Sequence, residues 1–447
     1  MIFNKNELLH QESLNLKENL LTKNDLKEIF EKISTEIINE WKTLCYIQAK
    51  ETGKPIKYCR KELFRCLALL DYGKEYFFRD EIKDISYMNF SGQYYTQRVG
   101  TGAVLAINTF SSPYSSFIHK MIGVLLGGCT FYFKPSPRAE KCSLELYKLI
   151  DKVIGQYNKK IVNFLVDIKD YEMAQLLESK KFSAVLFTGK SETASEIKKR
   201  IGRTPGIFET GSSAMAYVHT KDNLERIAKE LISASFSQSG MRCIGLKNLF
   251  INVDCVQEIL PYLVSETNKL KCGEAVDWKN DVGPIFDDKM RNEVLKIVER
   301  SCKEGFELIS GGEVLNGNIL QPTILYEKRV NQKTTTKEVY APVLFVHTVT
   351  NFEEIPEVYF KRSSLNNTIY SSDKNEEEKY IKYNIYSGSI LVDTPPDLRI
   401  DKLPFGGVYD ENEQKEDIDS IINVVSRKQI IIKRRTNYEE KLPIYEC

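Results

Sequence analysis

The sequence predicts an α/β protein built on doubly wound parallel sheets, and two observations carry that prediction. From about residue 94 onward, short apolar runs alternate with helical patterns, the texture of consecutive βαβ units. The 447 residues are 42% hydrophobic and 28% charged, which is a globular balance in a chain long enough for two or three domains.

The elements follow in chain order. Residues 1–80 read as helical, because Leu14, Leu16, Leu20, Leu21, Leu26, Ile29, Phe30, Ile33, Ile37 and Ile38 recur at spacings near three and four. Thr22 to Asp25 offers a helix start, with polar caps before the apolar run. Glu51-Thr52-Gly53-Lys54-Pro55 breaks the pattern as a loop, and a second helix is predicted over residues 58–78. Residues 102–107 read as a buried strand, 117–126 as a helix, 130–133 as a strand and 141–154 as a helix. Further strands are predicted at 161–166, 184–187 and 216–219, and a second α/β stretch from Asn223 to about Ile400. Ile430-Ile431-Ile432 reads as a late strand that either closes the chain's own sheet or offers an edge to a second copy.

Charge and composition exclude several functions. Lys and Arg number 63 against 62 Asp and Glu, a net charge of +1, so no global positive field exists to hold nucleic acid or an anionic membrane. The longest apolar run, Met121 to Cys129, falls far short of the ~20 residues that cross a bilayer. The N-terminus shows no apolar signal segment, so the expectation is a soluble, cytoplasmic protein. Ten cysteines occur without a CxxC pair and with four histidines, so no metal site is expected and the thiols are expected reduced.

Three segments carry candidate chemistry. Phe187-Thr188-Gly189-Lys190-Ser191 ends a strand and opens a helix, either an ordinary βα turn or a phosphate site at a helix N-terminus. Phe208-Glu209-Thr210-Gly211 places a carboxylate among small residues, where it is paired, solvated or held with a raised pKa. Ser239-Gly240-Met241-Arg242-Cys243 sets a cysteine in a turn, either as a buried apolar residue or as a thiolate favoured by backbone N–H groups and Arg242.

In order and spacing these segments resemble the aldehyde dehydrogenase superfamily, over about residues 50–435. Glu51-Thr52-Gly53-Lys54-Pro55 is similar to the family's EtGKP, and the stretch from Gly102 to Pro113 to its segment ending PfN.P. Lys134-Pro135-Ser136 matches KPs, and Phe187-Thr188-Gly189 matches FTG. Glu209 falls on the general base of lELGg and Cys243 on the nucleophile of GQ.C. Glu338 to Val343 resembles E.fGPv, and Leu403-Pro404-Phe405-Gly406-Gly407 resembles PFGG. Eight ordered motifs are far more specific than any one of them.

The resemblance implies an aldehyde dehydrogenase-like fold of two doubly wound α/β domains and a small β oligomerisation arm. Its parts would be a dinucleotide-binding domain at 1–85 and 101–211, a catalytic domain at 212–415, and an arm at 86–100 and 416–447. It implies NAD or NADP as cofactor, an aldehyde substrate and a homodimer or homotetramer. It also implies oxidation to the acid, through a thiohemiacetal and thioester on Cys243. The same resemblance assigns cofactor contacts to Lys134, Ser136, Gly189, Lys190, Glu338 and Tyr340.

The chain also departs from the family pattern. Ser111 stands where the family has its oxyanion asparagine, and loss of one such donor typically costs about 10²–10³ in rate. Pro137 stands where an acid often selects NAD, which admits NADP with Arg138 and Lys134 as acceptors of a 2′-phosphate. Two alternative readings stand beside the first. One is a catalytically inactive relative, supported by Ser111. The other is a CoA-acylating dehydrogenase, opposed by Glu209 because those relatives commonly lack that base.

Overall fold

The structure, a computed structural model, describes residues 2–3, 21–76, 83–87, 90–157, 160–330, 339–362, 365–407 and 415–434. Leu14, Leu16 and Leu20 of the first predicted helix lie outside the described residues, as does Cys447.

Two long helices form the N-terminal layer, α1 (Lys23–Thr52) and α2 (Ile56–Glu75). Thr22 starts α1 through a capping box with Asp25, as the sequence predicts, and Gly53 ends it in the left-handed conformation at φ 74°. The apolar stripe Leu26, Ile29, Phe30, Ile33 and Ile37 is buried, whereas Ile38 is exposed because its neighbour Ile37 takes the inward position. Helix α2 begins two residues earlier than predicted and stops three residues sooner, at Glu75.

The first sheet has the order β1 (Ile2–Phe3), β6 (Val162–Leu165), β5 (Thr130–Lys134), β4 (Ala103–Ile107), β7 (Ala184–Thr188), β8 (Gly206–Glu209), and every pairing is parallel. Chain order runs outward from β4 to β5 and β6 on one side and to β7 and β8 on the other. The carboxyl end of β4 is therefore the switch point where such sheets open a crevice. Helices α3 (Pro113–Leu126) and α4 (Glu140–Gly155) join α1 and α2 over one face, and α5 (Asp170–Glu178) and α6 (Ser191–Ile201) cover the other.

The second sheet runs β11 (Glu307–Ser310), β14 (Thr323–Glu327), β15 (Val343–Val349), β10 (Asn248–Asn252), β9 (Met215–His219), β16 (Asn366–Ser371), β17 (Ser389–Val392). It is parallel except for β11 against β14. It packs between α7 (Leu224–Phe236) and α8 (Val253–Asn268) on one face and α10 (Glu357–Arg362) and α11 (Lys374–Tyr383) on the other. Helix α9 (Asp288–Lys303) flanks its β14–β15 side, and the ribbon of β12 (Val314–Asn316) and β13 (Ile319–Leu320) stands apart. The charged run at 374–379 lies on α11.

A third, antiparallel sheet has the order β18 (Ser426–Arg434), β3 (Phe90–Gly100), β2 (Lys83–Tyr87). The late strand thus pairs with β3, and α12 (Ile418–Val425) leads directly into it. None of the helices described is long and apolar enough to cross a membrane.

One buried ion pair ties the N-terminal helices to the crevice. Glu62 on α2 accepts from the backbone N–H groups of Tyr114 and Ser115 at 2.9 Å each, so it caps α3 from a neighbouring helix. Its other oxygen takes Lys54 Nζ at 2.5 Å and Gln48 Nε2 at 2.7 Å, and Lys54 also donates to the Ser111 carbonyl at 3.1 Å. Glu62→Ala strands a buried ammonium and uncaps α3, so urea unfolding is expected to show a loss of about 3–5 kcal/mol. Lys54→Met combined with Glu62→Leu is expected to recover much of it, because no lone charge remains.

Candidate active site

Ser111, Glu209 and Cys243 line one cavity of about 270 Å³ at the carboxyl end of the first sheet, facing the second. They arrive from three directions: the loop after β4, the end of β8 and the loop between α7 and β10.

The cysteine loop is held under strain. Gln238 and Ser239 adopt φ of 56° and 57°, a conformation that non-glycine residues enter at a cost of order 1–3 kcal/mol. Gly240 follows at φ 68°, where an added Cβ would lie 2.1 Å from the Ala341 carbonyl oxygen, so only glycine fits. Lys247 Nζ donates to the Gly240 carbonyl at 2.5 Å, and Ser239 Oγ exchanges hydrogen bonds with the backbone of Gly283. Cys243 is half-buried against Ile244, Leu365 and Phe405 while still lining the cavity. Arg242 pairs with Asp397 and donates to Ser237 Oγ at 3.2 Å, so its charge is shared rather than devoted to the thiol.

Glu209 is almost wholly buried, and its carboxyl is pushed up to about 8, first by loss of water and then by the negative Glu416. Arg399, Lys120 and Lys415 act in the opposite direction. Burial works against Glu416 as well, but Lys120 and, beyond it, Arg399 hold that carboxyl below its ordinary value. Lys120 Nζ lies 3.4 Å from Glu416 and donates to Asn108 Oδ1 at 2.7 Å and Thr188 Oγ1 at 2.6 Å. Thr188 in turn donates to Glu416 at 3.2 Å. Two buried carboxylates with opposite shifts are the arrangement in which one is a base near neutrality and the other a fixed anion.

The far wall is cationic and hydroxyl-rich. Arg65 grips Asp401 with two hydrogen bonds of 2.8 and 2.7 Å, and Arg399 shares the same carboxylate at 3.0 Å. Two guanidiniums on one carboxylate leave an excess positive charge. Ser112, Ser115, Ser116, Ser233 and Ser237 add hydroxyls, and the large apolar surfaces are those of Tyr58, Ile244 and Phe405.

Lys134, Ser136, Gly189, Lys190 and Tyr340 do not line this cavity. Lys134 ends β5, and Gly189 and Lys190 follow β7, so all three flank the switch point at β4. A Cβ on Gly189 would meet the Phe187 ring at 2.5 Å, so the turn is pared to backbone there. Helix α6 opens at Lys190 without a side-chain cap, leaving N–H groups that suit a pyrophosphate. Burial lowers the Lys134 ammonium, which has no hydrogen bond or ion pair among the described residues. These features fit a dinucleotide. Arg138 pairs with Asp287 at 3.0 Å and lies 4.1 Å over Phe286, so a 2′-phosphate would compete with Asp287 for its guanidinium. Tyr340 is half-buried beside Ala341, which packs on the cysteine loop, and Glu338 lies outside the described residues. The described residues contain no cluster of His, Cys, Asp and Glu that could hold a metal ion.

Sequence reasoning missed Arg65, His119, Lys120, Arg399, Asp401 and Glu416. His119-Lys120 was the available signal: two basic residues inside an apolar helical run that the fold buries completely.

The profile of the aldehyde dehydrogenase family matches residues 19–428. A lactaldehyde dehydrogenase of Methanococcus aeolicus is 27% identical over 409 residues, covering 90% of this chain and 86% of that protein. A 3-sulfolactaldehyde dehydrogenase of Priestia aryabhattai is 25% identical over 414 residues, covering 91% and 85%. The crystal structure of a glyceraldehyde-3-phosphate dehydrogenase of Methanocaldococcus jannaschii, complexed with NADP, superposes with a TM-score of 0.88 at 25% identity, covering 97% of this chain and 96% of that one.

The Glu209 carboxyl is expected to lose its acid carbonyl band near pH 8 in an infrared titration that uses Glu209→Gln as the blank. Glu416→Gln removes a neighbouring negative charge that disfavours ionisation, so the transition is expected to move to lower pH.

Proposed function

The chain belongs to the aldehyde dehydrogenase family, and from that premise we propose how its residues divide the work and which aldehydes the cavity takes. The activity is the NAD- or NADP-dependent oxidation of an aldehyde to a carboxylic acid. Convergence of Cys243, Glu209 and Ser111 on one cavity supports this assignment of roles.

Lys134, Ser136, Gly189 and Lys190 would hold the dinucleotide from the first sheet, Tyr340 would meet it from the chain before β15, and Glu338 keeps the cofactor role that the family resemblance implies. A bound dinucleotide would supply the hydride acceptor, so that loss of hydride from the adduct on Cys243 leaves a thioester. The Cys243 thiolate forms the C–S bond to the carbonyl carbon, and the carbonyl oxygen takes up the charge. The Cys243 backbone N–H and the Ser111 hydroxyl are the donors proposed for that oxyanion, with serine the shorter substitute for an amide. Glu209 then takes a proton from water, the water oxygen adds to the thioester carbonyl, and the C–S bond breaks to release the acid. A base near 8 suits this step at working pH.

The shared Arg65–Asp401–Arg399 cluster and the serine-lined wall favour a small aldehyde with an anionic group over an aliphatic or aromatic one. The named relatives act on lactaldehyde, 3-sulfolactaldehyde and glyceraldehyde 3-phosphate, which accords with a polar pocket. The domain division proposed is a dinucleotide-binding unit on the first sheet, a catalytic unit on the second and an oligomerisation arm on the third. Ile430 and Ile432 are 62% and 58% exposed on β18, an edge strand of the third sheet, and we propose that β18 pairs with a second copy in a homodimer or homotetramer.

Absorbance of the reduced cofactor tests the activity, with NAD and NADP tried separately against phosphorylated, carboxylated and uncharged aldehydes. Turnover is expected to vanish in Cys243→Ala. Binding of cofactor without turnover on any aldehyde would favour the inactive relative. Arg65→Met is expected to raise KM for an anionic aldehyde about 10–100-fold, the cost of a lost charged hydrogen bond, while the uncharged aldehyde changes little. Lys at both Ile430 and Ile432 is expected to lower the mass seen by light scattering, and an unchanged mass would contradict pairing through β18.

A further inference from the structure

His119 lies on α3, lines the catalytic cavity and is 2% exposed. Its Nε2 is buried with no hydrogen-bond partner, and neither ring nitrogen has one among the described residues. A buried polar atom left unpaired is costly, and its persistence at a cavity wall points to a ligand that completes it. Its surroundings keep the ring neutral. Burial and then Arg399 push it down to about 4, against the opposing pull of Glu416 and Asp401. A neutral imidazole offers one donor and one acceptor, which matches a hydroxyl rather than an anion. The anion already has its own wall at Arg65 and Arg399.

We propose that His119 is a specificity-determining residue that hydrogen-bonds a hydroxyl on the carbon chain of the aldehyde, so that the preferred substrate is a hydroxyaldehyde. This rests on the dehydrogenase reading above and narrows its substrate class. The ring lies near Arg399, Glu416, Asp401 and Arg65, so the hydroxyl sits where the Glu416 end of the cavity meets its cationic wall. A site that pairs its own buried nitrogen with a substrate hydroxyl discriminates strongly against the analogue that lacks it, because that analogue leaves the nitrogen unpaired.

Lactaldehyde and propanal, which differ by one hydroxyl, form the test pair. The wild-type protein is expected to favour lactaldehyde by more than ~10-fold in kcat/KM. His119→Leu is expected to erase that preference by raising KM for lactaldehyde, with propanal unchanged within about 3-fold. His119→Gln keeps a donor and an acceptor and is expected to restore part of the preference. Equal losses on both aldehydes in His119→Leu and His119→Gln, with unaltered melting, would assign His119 a structural role and overturn the proposal. So would a wild-type protein that oxidises propanal as well as lactaldehyde, although the dehydrogenase reading would then stand. A wild-type protein that oxidises no aldehyde would overturn both.

Discussion

A carboxylate withdrawn from water must be neutralised or matched, and the cavity end of this molecule is organised around that cost at Glu209. The side chain sits at the end of β8, almost wholly buried, with Glu416 as a like-charged neighbour. Burial alone would protonate both carboxyls. Lys120 and Arg399 prevent this and divide the outcome unequally, holding Glu416 ionised while Glu209 stays near 8. Lys120, Glu209 and Glu416 come from α3, β8 and the chain just before α12, so the electrostatics at one point require three distant segments to be in place. Thr188 Oγ1, between Lys120 and Glu416, adds a fourth contact from β7.

The same economy governs how the reacting groups are aimed. Glu62 fixes the first turn of α3 through two backbone N–H groups, and Lys54 reaches from it to the carbonyl of Ser111. The loop that carries Ser111 is therefore tied to a salt bridge at the N-terminal helices. On the other side, two left-handed residues and Gly240 bend the chain so that Cys243 meets the cavity. That strain is maintained by Lys247, by the Ser239–Gly283 hydrogen bonds and by the close approach of Ala341. A cysteine on a relaxed helix in the same place would be an inert core residue, as Cys45, Cys59 and Cys66 are.

What was legible in the sequence follows from the range of the interactions involved. Alternating apolar runs and helical periodicity are local, so β4, β5 and β7 and the start of α1 at Thr22 appear where the pattern places them. Cys243, Glu209 and Gly189 stand out because small residues flank a chemical group at a turn. The partners that tune them are not local. Arg65 and Asp401 are 336 residues apart, and Thr188 and Glu416 are 228 apart. His119 and Lys120 sit in a run whose periodicity announces only a buried helix. Arg138 shows the converse. Its position suggests a cofactor contact, and nothing local announces its partner Asp287, which lies 149 residues further along the chain.

Division of labour between a cysteine that forms the acyl bond and a carboxylate that hydrolyses it is the central claim. It is tested most directly by intact mass spectrometry of Glu209→Gln after mixing with aldehyde and cofactor. The account predicts a burst of about one reduced cofactor per site, followed by an acyl group retained on Cys243, because the water lacks its base. Steady turnover in Glu209→Gln with no acyl group on Cys243 would contradict it.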